Sequence, residues 1–166
     1  GLKHKRQDGE DHVGQVPVVS IDYAFMHDKQ KEGEERGAPI LVVKDRETKV
    51  IRSRVVPQKG RNGYAIKRLS LDLDQLGHKK IILKSDWEPA IMELKQHVKH
   101  ESGLDVVLEE SPAYDSSGNG EVEVAIQMVQ GQFRSMKDGL ESRYGVRFDG
   151  DHACIPWLVM HAGDML

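Results

Sequence analysis

Residues 79–110, KKIILKSDWEPAIMELKQHVKHESGLDVVLEE, read in turn as strand, helix and strand. The opening KKIILKSD carries Ile81, Ile82 and Leu83 in a run of strand length. Pro89 suits the first turn of a helix, and Ile91, Leu94 and Val98 supply that helix with an apolar stripe. LDVVLEE (104–110) is a further apolar run of strand length. Upstream, Ile66, Leu69, Leu73 and Leu76 fall at 3,4,3 spacing, one stripe on a helix that Gly77 ends.

Before that helix, PILVVKDRETKVIRSRVV (39–56) gives two strands around a turn near Arg46 to Thr48. PVVSIDYAFM (17–26) is rich in β-branched residues and predicts a buried strand. The charged run HDKQKEGEERGA (27–38) between them is a solvated loop. Downstream, SPAYDSSGNG (111–120) favours neither helix nor strand, and Asn119 can cap the helix that follows. In that helix Val122, Ile126, Val129, Phe133, Met136 and Leu140 form a long core face, broken at Gly145. ACIPWLVMHAGDML (153–166) offers one closing helix. The predicted fold is α/β: a mixed five-stranded sheet, three antiparallel strands then two parallel, with helices on both faces. Residues 1–15 read as a leader or linker, and residues 16–166 as one domain.

Composition narrows the function. With 38% apolar and 31% charged residues, the chain reads as a soluble globular domain. No stretch approaches the roughly 20 apolar residues of a membrane span. The single cysteine, Cys154, leaves no internal disulfide and no paired-cysteine zinc site, and fits a reducing, intracellular compartment. His97 and His100 sit three apart without a third ligand near them, and read as solvated side chains. A net charge of −3 makes the domain a poor free-standing nucleic-acid binder, so any DNA function must be local, metal-assisted or shared with other segments.

Three carboxylates ask for an explanation. Asp22 lies in a strand otherwise made of Val18, Val19, Ile21 and Phe25. An ionised group there costs on the order of several kcal/mol unless it is paired or bound to a cation. Backbone amides or a nearby arginine are the ordinary answer. Asp86 ends the strand KKIILKSD, where α/β sheets place ligand sites, though it also suits the N-cap of the next helix. Glu123 opens the long helix, off its apolar stripe and on a polar face with Gln127, Gln130, Arg134 and Lys137; Glu121 competes for the same role. Two aspartates on strands and a glutamate on a helix can converge on hard divalent cations. Two such ions about 3.5–4 Å apart support phosphodiester attack, which predicts a nuclease or polynucleotidyl transferase.

The segment SPAYDSSGNGEVE (111–123) resembles the retroviral and retrotransposon integrase signature Ser-Pro-x-Tyr-His-Pro-Gln-Ser-Asn-Gly-x-x-Glu. Ser111, Pro112, Tyr114, Asn119, Gly120 and Glu123 match it without gaps, which selects Glu123 over Glu121. The 36 residues between Asp86 and Glu123 are close to the family spacing. Asp22 followed by the hairpin ILVVKDRETKVI, and the ending IPWLVMHA, are also similar to the family. The resemblance spans roughly residues 16–165. It implies an RNase H-like fold, with Mg²⁺ or Mn²⁺, two per site, held by Asp22, Asp86 and Glu123. The implied reaction is trimming of an element's DNA ends and their transfer into target DNA, as an endonuclease and transferase. Tyr114, Asn119, Gln127, Gln130 and Arg134 would contact DNA. The implied partners are element ends, target DNA and further copies of the chain as a homodimer or multimer. The implied location is the nucleus or a cytoplasmic particle of the host cell.

The chain departs from the family after the second aspartate, where Trp87 and Glu88 replace Asn or Gln and then Gly. Ser116-Ser117 replaces Pro-Gln. The family's zinc domain and C-terminal DNA-binding domain are absent from these residues, which predicts weak DNA binding by this segment alone. The competing readings are a degenerate integrase-like interaction module and a related nuclease or transposase of the same fold. Ile155, Trp157 and Leu158 could serve an interface or be buried in the monomer.

Overall fold

The computed structural model describes residues 15–26, 37–110 and 119–166. Five strands, β1 (Val18–Ala24), β2 (Ile40–Asp45), β3 (Ile51–Val55), β4 (Lys80–Ser85) and β5 (Asp105–Glu110), form one sheet in the order β3-β2-β1-β4-β5. β1, β2 and β3 pair antiparallel, while β4 runs parallel to both β1 and β5. Among the described residues, four helices pack on the sheet: α1 (Gly63–Gln75), α2 (Pro89–Glu101), α3 (Gly120–Tyr144) and α4 (Cys154–Asp164). This is the element order and mixed sheet that the hydrophobic periods predict.

Alternation along the strands divides the apolar side chains between two cores. Val19, Ile21 and Tyr23 of β1 join Leu41, Val43, Ile81 and Leu83 beneath α1 and α2. Ile40, Val42 and Ile51 face the other way, against Val122, Val129 and Phe133 of α3 and Leu158 and Val159 of α4. Ala24 packs with that second core. Asp22, two residues earlier on the strand, therefore points to the face that carries α3.

Local chemistry sets the element ends. At the β2–β3 turn, buried Asp45 accepts from the Glu47 N–H (3.0 Å), the Thr48 hydroxyl (2.7 Å) and His78 Nε2 (2.7 Å). Asn62 caps α1 by accepting from the Ala65 N–H at 3.1 Å. α1 then stops before Gly77, whose φ of 81° is cheap only for glycine. The Arg54 guanidinium ties β3 to α1 through two bonds to Asp72, 2.7 and 2.6 Å long. α4 lies unusually close to β3: a Cβ on Gly163 would come within 2.9 Å of the Ser53 backbone nitrogen.

One expectation is not met here. Asn119 occupies the N-cap position of α3, but its side chain makes no capping bond; its backbone (φ −110°, ψ 4°) lies outside the extended region that capping uses. The closing segment also divides: Ile155 and Leu158 are buried against α3, whereas Trp157 is half exposed and stacks on His161 with ring centres 4.8 Å apart. Among the described residues, no helix is long and apolar enough to cross a membrane.

Candidate metal centre

The parallel pairing of β1 and β4 brings two of the carboxylates together. Val18, Val19 and Ser20 stand opposite Ile82, Leu83 and Lys84. The same register, continued two residues further, brings Asp22 level with Asp86, just beyond the carboxyl end of β4. Glu88 joins them: one oxygen from each of Asp22, Asp86 and Glu88 lies within 4.8 Å of the others. Among the described residues this is the only group of three or more potential metal-ligating side chains. Asp86 does not cap α2; instead its Oδ1 accepts from the Glu88 N–H at 3.1 Å, a tight turn across Trp87 that carries Glu88 back to the cluster. Trp87 at the corner of that turn is 54% exposed.

Burial, with Asp86 close by, pushes the Asp22 carboxyl up to about 7, although a 2.8 Å bond from the Tyr23 N–H pulls the other way. A proton held at neutral pH is the cost of placing like charges together in a half-buried pocket. A divalent cation removes that cost by favouring the ionised form. The donors are all carboxylate oxygens, the chemistry that Mg²⁺ and Mn²⁺ accept, so the residues present fit such an ion.

A cation of the chain's own already stands at the edge. Lys59, on the segment joining β3 to α1, donates to Glu88 at 2.7 Å. Its ammonium lies 5.3 Å from the centre of the Tyr23 ring and 5.6 Å from that of Phe25. The Gly60 N–H donates to the Tyr23 hydroxyl at 3.0 Å, so this segment is fastened to the strand that bears Asp22.

Of the other residues singled out in the sequence, Glu123 is exposed on the first turn of α3 and lies outside the three-carboxylate cluster. Its carboxylate makes no hydrogen bond or ion pair among the described residues, whereas Glu121 is held by Arg46 at 3.0 Å. Gln127 and Arg134 are exposed on α3. Gln130 is not part of that polar face: it is buried and donates to the Phe25 carbonyl at 2.7 Å, joining α3 to the end of β1. Asn119 is buried, and its Oδ1 finds no partner among the described residues. Tyr114 and most of the 111–120 loop lie outside the described residues.

Sequence reasoning passed over Glu88, Lys59 and Lys95. For Lys95 a signal existed. It lies four residues after Ile91, on the apolar side of α2, and it is fully buried.

No family model matches the chain, and no curated protein matches it in sequence. Solved structures do. A chain of the simian T-cell lymphotropic virus intasome, determined in complex with PP2A regulatory subunit B56 gamma, superposes with a TM-score of 0.59 over 87% of this chain, at 16% identity. The catalytic core domain of BIV integrase aligns over 87% of this chain at 13% identity, with a TM-score of 0.49. The chain shares the fold of that intasome chain. It spans about half (49%) of the matched intasome chain and 79% of the BIV core. In this fold, Asp22 on β1 and Asp86 just beyond β4 stand level at one end of adjacent parallel strands.

Proposed function

We propose that the chain is the catalytic core of a metal-dependent DNA integrase, a polynucleotidyl transferase that processes the 3′ ends of element DNA and transfers them into target DNA. The observation that carries the reading is the juxtaposition of Asp22 and Asp86 on the α3 face of an integrase-core sheet. Asp22 and Asp86 hold Mg²⁺ or Mn²⁺, and Glu123 on α3 completes the site when DNA is bound. Bound as a pair, such cations supply the charge that activates a water or 3′ hydroxyl and stabilises the leaving oxygen in in-line attack. The chain's own residues shape that chemistry. The Tyr23 N–H orients the Asp22 carboxylate, and the Glu88 N–H orients that of Asp86. Exposed Gln127 and Arg134 line the helix along which DNA lies, and Tyr114 and Asn119 are the further DNA contacts of this reading. The partners are element ends, target DNA and further copies of the chain, in the nucleus or a cytoplasmic particle of a host cell.

One observation favours a second reading, a non-catalytic interaction module. The Lys59–Glu88 pair partly neutralises the acidic cluster from within, and Glu88 rather than Glu123 is its third carboxylate. Calorimetric titration with Mn²⁺ at pH 8 separates the two. The integrase reading expects binding that Asp86→Asn abolishes; a wild-type chain that takes up no Mn²⁺ supports the interaction module.

A further inference from the structure

Among the described residues, Lys95 is one of the largest side chains fully removed from solvent, on the α2 face of the sheet. Its Nζ donates to the Ser85 hydroxyl at 3.0 Å and to the Glu109 carbonyl at 2.6 Å, and lies 3.6 Å from the Glu110 carboxylate. These partners are the last residues of two parallel strands, where Lys84 pairs with Glu109 and Ser85 with Glu110. β4 there hands over to Asp86, and β5 to the segment that leads to α3. A buried ammonium is expensive, but replacing it alone leaves the Glu109 carbonyl and the Glu110 carboxylate without the partner that compensates them. What an apolar side chain cannot do is bridge the two strand ends.

The bonding has a direction. An ammonium has donors only, so Ser85 Oγ must accept from it. The single Ser85 hydroxyl proton is then left to donate to the Asp86 carbonyl, 2.9 Å away. We propose that Lys95 is a positioning residue for the metal centre, fixing Asp86 through Ser85 while clamping the ends of β4 and β5 together. The role rests on Asp86 being a metal ligand, as proposed above, and Lys95 itself touches neither metal nor DNA.

Electrostatics and positioning predict opposite signs, which makes the role testable. Lys95 and Asp86 interact through space. Loss of the positive charge alone therefore draws a divalent cation in more strongly. Loss of positioning weakens binding, by about 10–100-fold when a partner that orients a metal ligand is removed. The experiment is calorimetric titration of Mn²⁺ into wild type, Lys95→Met and the charge-neutral Ser85→Ala. Thermal melts without metal, and hydrogen exchange of the Glu88 amide that is bonded to Asp86, complete it. We expect both variants to lose at least tenfold in Mn²⁺ affinity, Lys95→Met to melt below wild type, and the Glu88 amide to exchange faster in each. Should Lys95→Met not fold, Ser85→Ala still decides. Mn²⁺ affinity and Glu88 exchange unchanged in the folded variants would overturn the proposal and leave Lys95 a packing residue. A wild-type chain that binds no Mn²⁺, with Glu88 exchange still faster in the variants, overturns the metal reading while Lys95 keeps its hold on Asp86.

Discussion

Asp22 shows how a single residue can couple metal binding to pH. Its carboxyl is raised from the ordinary carboxylate range to about 7 by burial and by Asp86. Between that range and pH 7 the folded chain holds a proton that the unfolded chain has lost. The metal-free domain therefore loses stability as pH rises through this window, and the loss is complete above it. A cation binds the ionised form, so below pH 7 it must displace the proton, at up to about tenfold in affinity per pH unit. The rise in melting temperature caused by a fixed Mn²⁺ concentration should be clearly larger at pH 8 than at pH 5.5, and Asp22→Asn should flatten the difference. Equal shifts at both pH values in the wild type would remove Asp22 from the site. Asp22 was legible in the sequence because a carboxylate among β-branched residues has few cheap explanations. Glu88 was not, because a turn residue enters the cluster through a fold-back that no periodicity encodes.

At the scale of elements, the sequence periods located every strand and helix among the described residues, since each buries one face against a partner of matching period. What they missed are contacts that depend on where a neighbour stops. Gln130 falls on the polar side of α3 by counting, yet the end of β1 presents the Phe25 carbonyl to it, and a buried carbonyl needs a donor. Asn119 has the right chemistry for a cap and the wrong backbone. The α4–β3 contact is of the same kind, since nothing in the spacing of Gly163 announces that Ser53 lies against it. Elsewhere in a helix, alanine is favoured over glycine by about 1 kcal/mol. At Gly163 the added methyl meets the Ser53 backbone nitrogen as well as the Ser53 hydroxyl, and overpacking costs about 1–3 kcal/mol. We expect the contact to win, with Gly163→Ala destabilising the domain by about 1 kcal/mol net and lowering its melting temperature by about 2–4 °C. A melting temperature that rises would mean that α4 can back away from β3.

Over the whole molecule, the sheet brings acids from distant parts of the chain to one end of adjacent parallel strands, and α3 supplies a further acid and exposed polar side chains on the same face. The order of elements and the two strand-borne aspartates could be read from sequence; the separation between Glu123 and the cluster could not, because it depends on how α3 meets the sheet. In the function proposed above, this arrangement performs metal-dependent DNA strand transfer. Its most direct test is a Mn²⁺-dependent assay of the chain on a branched disintegration DNA, a substrate that asks for the chemical step with little help from further DNA-binding domains. Strand rejoining is expected from the wild type and none from Asp86→Asn of equal thermal stability. Activity that persists in Asp86→Asn, or a wild type that binds Mn²⁺ and branched DNA together yet leaves the DNA unchanged, would contradict that function.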